Sequence, residues 1–204
     1  MRDEKGFDLW ADGYDRAVGL SYEEGSYPFA GYREVLNDIY KTVMEKPRTV
    51  ILDIGFGTGT LTSKLYEKGC VVFGQDFSDR MIKLAYQKMP HAHLYKGDFS
   101  EGLVNDLKGV RYDFIIATYS LHHLDDERKV SFLNELKELL APGGRILIGD
   151  VAFSDREQLE RCKKEAGEGW DDEEFYFVAD ELMKYFPSLA FKRISRCAGV
   201  LSID

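Results

Sequence analysis

From Thr49 onward, short apolar runs alternate with stretches whose apolar residues recur at helical spacing. The runs are Val50-Ile51-Leu52-Asp53-Ile54, then 70–74, 93–96, 112–117 and 145–149. They are β-branched and nearly continuous, as strands covered on both faces must be. Between them, Met81, Leu84, Ala85 and Met89 follow the cap-like Ser78, and Val130, Leu133, Leu136 and Leu140 follow Asp125 and Asp126. Both sets predict amphipathic helices laid against a sheet. The helix over 60–68 stops at Gly69, and Ala141-Pro142-Gly143-Gly144 is read as the break that ends the helix before the fifth strand. Ser154-Asp155-Arg156-Glu157 reads as a capping box.

Repeated strand-then-helix units imply a parallel sheet with right-handed crossovers and a ligand site beyond the carboxyl ends of the strands. The last two runs, 191–196 and 200–203, are too close together for a crossover and so predict an antiparallel hairpin. The expectation is an α/β fold, doubly wound and Rossmann-like, with about seven strands. Residues 1–46 precede the sheet. They hold Phe7, Trp10, Tyr14, Tyr22, Tyr27 and Phe29, then Tyr32, Val35, Leu36, Ile39 and Val43 at helical spacing. This segment is read as a helical arm or lid whose helix docks on the sheet, and 47–204 as the ligand-binding domain.

Composition narrows the function. Acidic residues outnumber basic ones 36 to 27 across 204 residues, which opposes phosphate neutralisation and argues against nucleic acid as a partner. Cys70, Cys162 and Cys197 are widely spaced and form no Cys-x-x-Cys pair, so buried thiols are expected and no metal site is assigned. The start Met1-Arg2-Asp3-Glu4-Lys5 is not a signal peptide and no run is long enough to span a bilayer, which predicts a cytoplasmic chain without membrane contact.

The chemistry centres on Gly55-Phe56-Gly57-Thr58-Gly59, which joins the first strand to its helix. Glycines there let backbone approach a ligand closely, although a tight turn alone would also use them. A dinucleotide fingerprint needs Gly-x-Gly-x-x-Gly or Ala, and Thr60 stands where its third small residue belongs. An NAD-dependent oxidoreductase is therefore disfavoured. Asp76 ends the second strand, where a carboxylate can accept hydrogen bonds from both ribose hydroxyls; its alternative role is local capping. Asp98, after the third strand, either meets an adenine amino group or stabilises its own turn.

With these residues in view, the chain resembles class I S-adenosylmethionine (SAM)-dependent methyltransferases. The glycine loop, Asp76, Gly97-Asp98, Tyr112-Asp113-Phe114-Ile115, Leu121-His122-His123-Leu124 and Leu140-Ala141-Pro142-Gly143-Gly144 carry that resemblance. Trp10-Ala11-Asp12-Gly13-Tyr14-Asp15 and Gly31-Tyr32 look most like the YrrT-like bacterial members. The resemblance implies SAM as cofactor and S-adenosylhomocysteine (SAH) as product. It puts Gly55, Gly57 and their neighbours Asp53, Phe56, Thr58 and Gly59 along the methionine part, and Asp76 on the ribose. Phe77 would pack on the purine beside Met81, Asp98 and Phe99 would face the adenine with Gly97, Ala117 would lie near the sulfonium, and Tyr14 would close over the cofactor. Gln75 stands where such enzymes usually carry an apolar residue.

Methyl transfer needs alignment more than a catalytic triad. The candidate bases are His122, His123 and Tyr14, with the two histidines expected to point apart. Residues 170–176, Trp170-Asp171-Asp172-Glu173-Glu174-Phe175-Tyr176, either cover the acceptor or open a solvated helix. The chain lacks an Asn/Asp-Pro-Pro-Tyr pattern after the fourth strand, a Pro-Cys nucleophile and a double-glutamate loop. The expected acceptor is a small molecule and the expected state a monomer or homodimer. A SAM-binding protein without turnover is the alternative.

Overall fold

The computed structural model describes residues 27–204. The chain runs α1 (Tyr32–Met44), β1 (Val50–Ile54), α2 (Thr60–Glu67), β2 (Val71–Asp76), α3 (Asp79–Lys88), β3 (His93–Lys96), α4 (Asn105–Lys108) and β4 (Tyr112–Thr118). It continues through α5 (Asp126–Lys137), β5 (Leu140–Phe153), α6 (Arg156–Ala166), β6 (Phe177–Val178), α7 (Ala179–Leu182), β7 (Ala190–Arg193) and β8 (Ala198–Ile203). The sheet has the order β3-β2-β1-β4-β5-β8-β7. β1 to β5 pair in parallel, whereas β8 is antiparallel to both β5 and β7. The chain reverses direction of travel across the sheet between β1 and β4, the switch point where such sheets open a crevice.

The two faces of the sheet hold separate cores. Leu52, Ile54, Ile115, Ile146 and Ile148 pack with Leu133 and Leu136 of α5. Ile51, Ile116 and Leu147 face the other way, against Val35, Leu36, Ile39 and Val43 of α1 and Leu61 and Leu65 of α2. The alternation along each strand is the period-2 geometry of a covered sheet. α1, placed in the N-terminal arm by the sequence reading, lies directly on the sheet. A Cβ on Gly149 of β5 would stand 2.3 Å from Val35 Cγ1 and 2.8 Å from Ile39 Cδ1, so the helix docks this closely only because residue 149 has no side chain.

Four details differ from the pattern reading. An eighth strand, β6, is only two residues long and pairs with Ala152 and Phe153, too short to leave a periodic signal. The Ala141-Pro142-Gly143-Gly144 run lies inside β5 as a bulge: Tyr112 pairs with Leu140 and Phe114 with Arg145, leaving four residues opposite one, with Gly143 at φ 73°. The C-terminal hairpin turns over 194–197, earlier than expected, so that Ala198 and Gly199 join β8. α6 is capped by Asp155, whose carboxylate accepts from the Gln158 N–H at 2.9 Å, one residue later than the capping box proposed from sequence.

Candidate active site at the switch point

The glycine loop leaves β1 through three left-handed residues, Gly55 (φ 69°), Gly57 (φ 56°) and Gly59 (φ 73°). Gly55 is also fixed by contact, because a Cβ there would lie 2.6 Å from Ser120 Cβ, whose hydroxyl donates to the Ile54 carbonyl at 2.8 Å. At Gly57 no atom of the described residues beyond its chain neighbours lies within 4 Å of an added Cβ; among them only its φ calls for glycine. Gly59 opens α2 with no side-chain cap, so first-turn N–H groups of that helix have no side-chain acceptor.

Asp76 closes onto this loop from the end of β2. Its Oδ2 accepts from the Gly57 N–H at 2.9 Å and its Oδ1 from the Ser78 N–H at 2.8 Å. The carboxylate is only 4% exposed. The local reading made from sequence is met: Asp76 braces the glycine loop and the start of α3, while Ser78 supplies the helix cap itself. Asp53, on β1 beneath the loop, is 1% exposed. The Thr62 hydroxyl donates to its Oδ2, while its Oδ1 is buried with no hydrogen-bond partner among the described residues. Burial, and the charge of nearby Asp76, outweigh the Thr62 hydrogen bond and push Asp53 up to about 7.

The other residues expected along a cofactor separate into walls and open positions. Phe77 is 66% exposed at the mouth between β2 and α3, and Met81 is half-buried one turn on. Phe56 is buried against Val72, Ala85 and Met89, and Phe99 packs in the main core 6.2 Å from the Phe132 ring. Both are structural walls below the loop. Asp98 is exposed and accepts from the Ser100 N–H at 2.8 Å, the turn-stabilising alternative. Ala117 is buried in β4 beside Ile54, and Thr58 is buried with its hydroxyl 3.2 Å from that of Thr60. Gln75 explains its unusual position: its amide donates to the Gly102 carbonyl and accepts from the Val104 N–H, each at 2.9 Å. Gly97 admits that amide, since a Cβ there would stand 2.9 Å from Gln75 Cδ. Tyr14 lies outside the described residues.

A second polar group gathers beyond β4 and β5. The short 3₁₀ turn Leu121–His123 carries both histidines, and their ring centroids are 4.4 Å apart. They do not point apart as expected, because a 3₁₀ turn rotates successive side chains by about 120° and not the 180° of a strand. His122 Nδ1 lies 2.7 Å from Oδ1 of Asp150 in β5, and His123 Nδ1 lies 3.0 Å from Glu174 Oε2. Glu174 reaches the pair because residues 170–176 form no helix; they fold back across the turn, with the Phe175 N–H donating to the His122 carbonyl at 2.8 Å. Trp170 anchors the start of that segment, its ring stacked 4.8 Å from Tyr27. Lys129 of α5, 2% exposed, donates to the Phe175 carbonyl and pairs with Asp126 at 3.1 Å. Burial opposes the His122 imidazolium, yet Asp150 and Glu174 outweigh it and hold His122 above its ordinary value; burial holds Lys129 below its own.

Asp150 and Lys129 do not stand out in the sequence, and Glu174 does so only as one acid of the 170–176 segment. Asp150 had a signal, an acid closing an apolar strand as Asp76 does. Lys129 also had one, since it shares the helical stripe of Phe132, Leu133 and Leu136.

Residues 51–144 match the family model described as a methyltransferase domain. An uncharacterized methyltransferase of Geobacillus sp. (strain WCH70) is 39% identical over 193 residues, spanning 91% of this chain and 87% of the relative. A second, from Alkaliphilus oremlandii, is 30% identical over 192 residues, again 91% of this chain and 87% of the relative. The chain belongs to the class I SAM-dependent methyltransferases. Among solved structures, magnesium protoporphyrin IX methyltransferase from Synechocystis PCC 6803 with bound SAH shares the fold at a TM-score of 0.67 and 19% identity, covering 98% of this chain and 94% of that one. PH0226 from Pyrococcus horikoshii is similar at a TM-score of 0.66 and 18% identity, covering 94% and 99%.

The methyltransferase's own residues fit a ligand of SAM's chemistry at the switch point. SAM carries an ammonium and a sulfonium; Asp53 offers a buried, unpartnered oxygen beneath the loop, and Asp76 adds a second carboxylate beside it. A Cβ on Gly57 would meet no atom of the other described residues within 4 Å. Among the described residues, no helix is long and apolar enough to cross a membrane.

Proposed function

We propose that the enzyme transfers the methyl group of SAM to a small-molecule acceptor that enters over the His122–His123 turn. In this reading Asp53, Gly55, Gly57, Thr58 and Gly59 line the methionine part of SAM, Asp76 takes the ribose hydroxyls, and Phe77 with Met81 flanks the purine near Gly97 and Asp98. Ala117 borders the sulfonium. Tyr14 of the N-terminal segment closes over it. The single observation that carries the reading is the Asp76 carboxylate bonded to the Gly57 N–H, which joins an acid to the loop glycine whose added Cβ would meet no atom of the described residues.

The transfer is an in-line displacement at a carbon already activated by its sulfonium. The chain therefore has to hold donor and acceptor in line and exclude water, and orientation alone supplies about 7–11 kcal/mol of such a barrier. The loop and Asp76 fix the donor. His122 and His123, held by Asp150 and Glu174, form the polar wall that meets and activates the acceptor's nucleophilic atom. The net charge of −9 supports a small acceptor over a nucleic acid.

The test is incubation of the purified enzyme with methyl-labelled SAM and a cell extract split by ultrafiltration. Label should enter the low-mass fraction. Label confined to retained protein or nucleic acid would overturn the small-molecule assignment.

A further inference from the structure

His122 and His123 face the same carboxylate, and a pair of simple proton acceptors has no need of that arrangement. His122 Nε2 lies 3.7 Å from Glu174 Oε2, His123 Nδ1 lies 3.0 Å from it, and the three donor atoms all stand within 4.8 Å of one another. Two imidazoles and one carboxylate converging on a point is the three-ligand set of an open divalent-cation site, with a fourth position left for water or substrate. A bound tetrahedral ion would set these atoms about 3.3–3.6 Å apart, since Zn²⁺–N and Zn²⁺–O bonds are about 2.0–2.2 Å, so the His122–Glu174 pair would close slightly and the His123–Glu174 pair would open slightly.

The surroundings match that use. Asp150, fully buried, holds His122 through Nδ1 and so leaves Nε2 as the free donor on the side of Glu174, the outer-shell carboxylate that metal-binding histidines commonly carry. Glu174 Oε2 is itself buried and makes no well-formed hydrogen bond, although His123 Nδ1 is close. Glu174 and Asp150 bring two negative charges to the group. Lys129 is the opposing cation, and its ammonium is engaged by Asp126 and the Phe175 carbonyl.

We propose that His122 Nε2, His123 Nδ1 and the Glu174 carboxylate bind one first-row divalent cation, with Zn²⁺ suited to the donor set, on the acceptor side of the transfer site. The binding of the ion stands on this geometry alone; its use rests on the methyl-transfer reading. At the open position it would take an acceptor hydroxyl or thiol and favour loss of its proton to solvent, leaving the nucleophile that attacks the methyl carbon as that carbon's bond to the sulfonium sulfur breaks and SAH leaves with the electron pair. The acceptor class is then a small molecule with an ionisable hydroxyl or thiol.

The test uses the full chain stripped with EDTA, dialysed, and titrated with Co²⁺ by visible absorption and with Zn²⁺ by calorimetry, with SAH binding measured on the same samples. One Co²⁺ per chain with d–d bands, displaced by one Zn²⁺, is expected. Glu174→Gln and His123→Asn should each weaken uptake by ~10-fold or more while SAH affinity holds. His123 is more than half exposed, so its variant remains informative if the Glu174 change disturbs folding. SAH binding with no metal uptake, or uptake undiminished in both variants, overturns the site while leaving the methyltransferase reading intact. Metal uptake without SAH binding would instead count against the cofactor pocket.

Discussion

The two halves of the site are built by different means. On the cofactor side, backbone does most of the work: three left-handed glycines, an uncapped helix start, and an acid that braces the loop through N–H groups. On the proposed acceptor side, side chains from the Leu121–His123 turn, β5, α5 and residues 170–176 meet in one polar cluster. A backbone cradle suits a ligand that is the same in every turnover. A side-chain cluster can change with the acceptor while the frame stays, which is how one fold carries many substrates.

If the halves are separable, a change in one should leave the other's readout alone. His122→Ala should lower label transfer from SAM by about 3 kcal/mol, ~10²-fold, while SAH affinity stays unchanged; the check is steady-state transfer beside calorimetric titration. Parallel loss of both would merge the halves. Asp53→Asn should split stability from binding inside the cofactor half. The raised Asp53 value means its charge disfavours the native state; that penalty is absent below about pH 4, grows as pH rises, and is complete above about 7. The variant should therefore gain about 1–3 kcal/mol in urea unfolding at pH 8, gain nothing near pH 4, and bind SAH more weakly. Gly149→Ala tests the frame beneath both halves. Forcing a methyl against Val35 and Ile39 should cost about 1–3 kcal/mol, roughly 2–12 °C in Tm, with transfer and SAH binding falling together only as the fold is lost.

The same contrast explains what could be read from the chain. The strands, α1 and the glycine loop were legible because their signals are local: apolar period and glycine spacing. The acceptor cluster was half legible. His122 and His123 stood out as residue types, but their partners Asp150 and Glu174 come from 28 and 51 residues further along, and no spacing rule connects a strand-end acid to a turn on the neighbouring strand. The acids of residues 170–176 suit a cover and a helix start equally, because the segment's path is set by Trp170 against Tyr27 and by the Phe175 N–H bonding the His122 carbonyl. β6 is two residues long and owes its existence to β5 continuing past the sheet. The bulge at Ala141–Gly144 reads as a helix stop from sequence because proline and glycine serve both purposes.

The most direct test of the central claim is calorimetric titration of SAH into the wild type and Asp76→Asn, a change that keeps an acceptor for the Gly57 or Ser78 N–H and removes the charge. The wild type should bind one SAH per chain, and the variant about 1.5–3 kcal/mol more weakly, roughly 10- to 150-fold. Equal affinity in the two proteins, or no binding to the wild type, would contradict it.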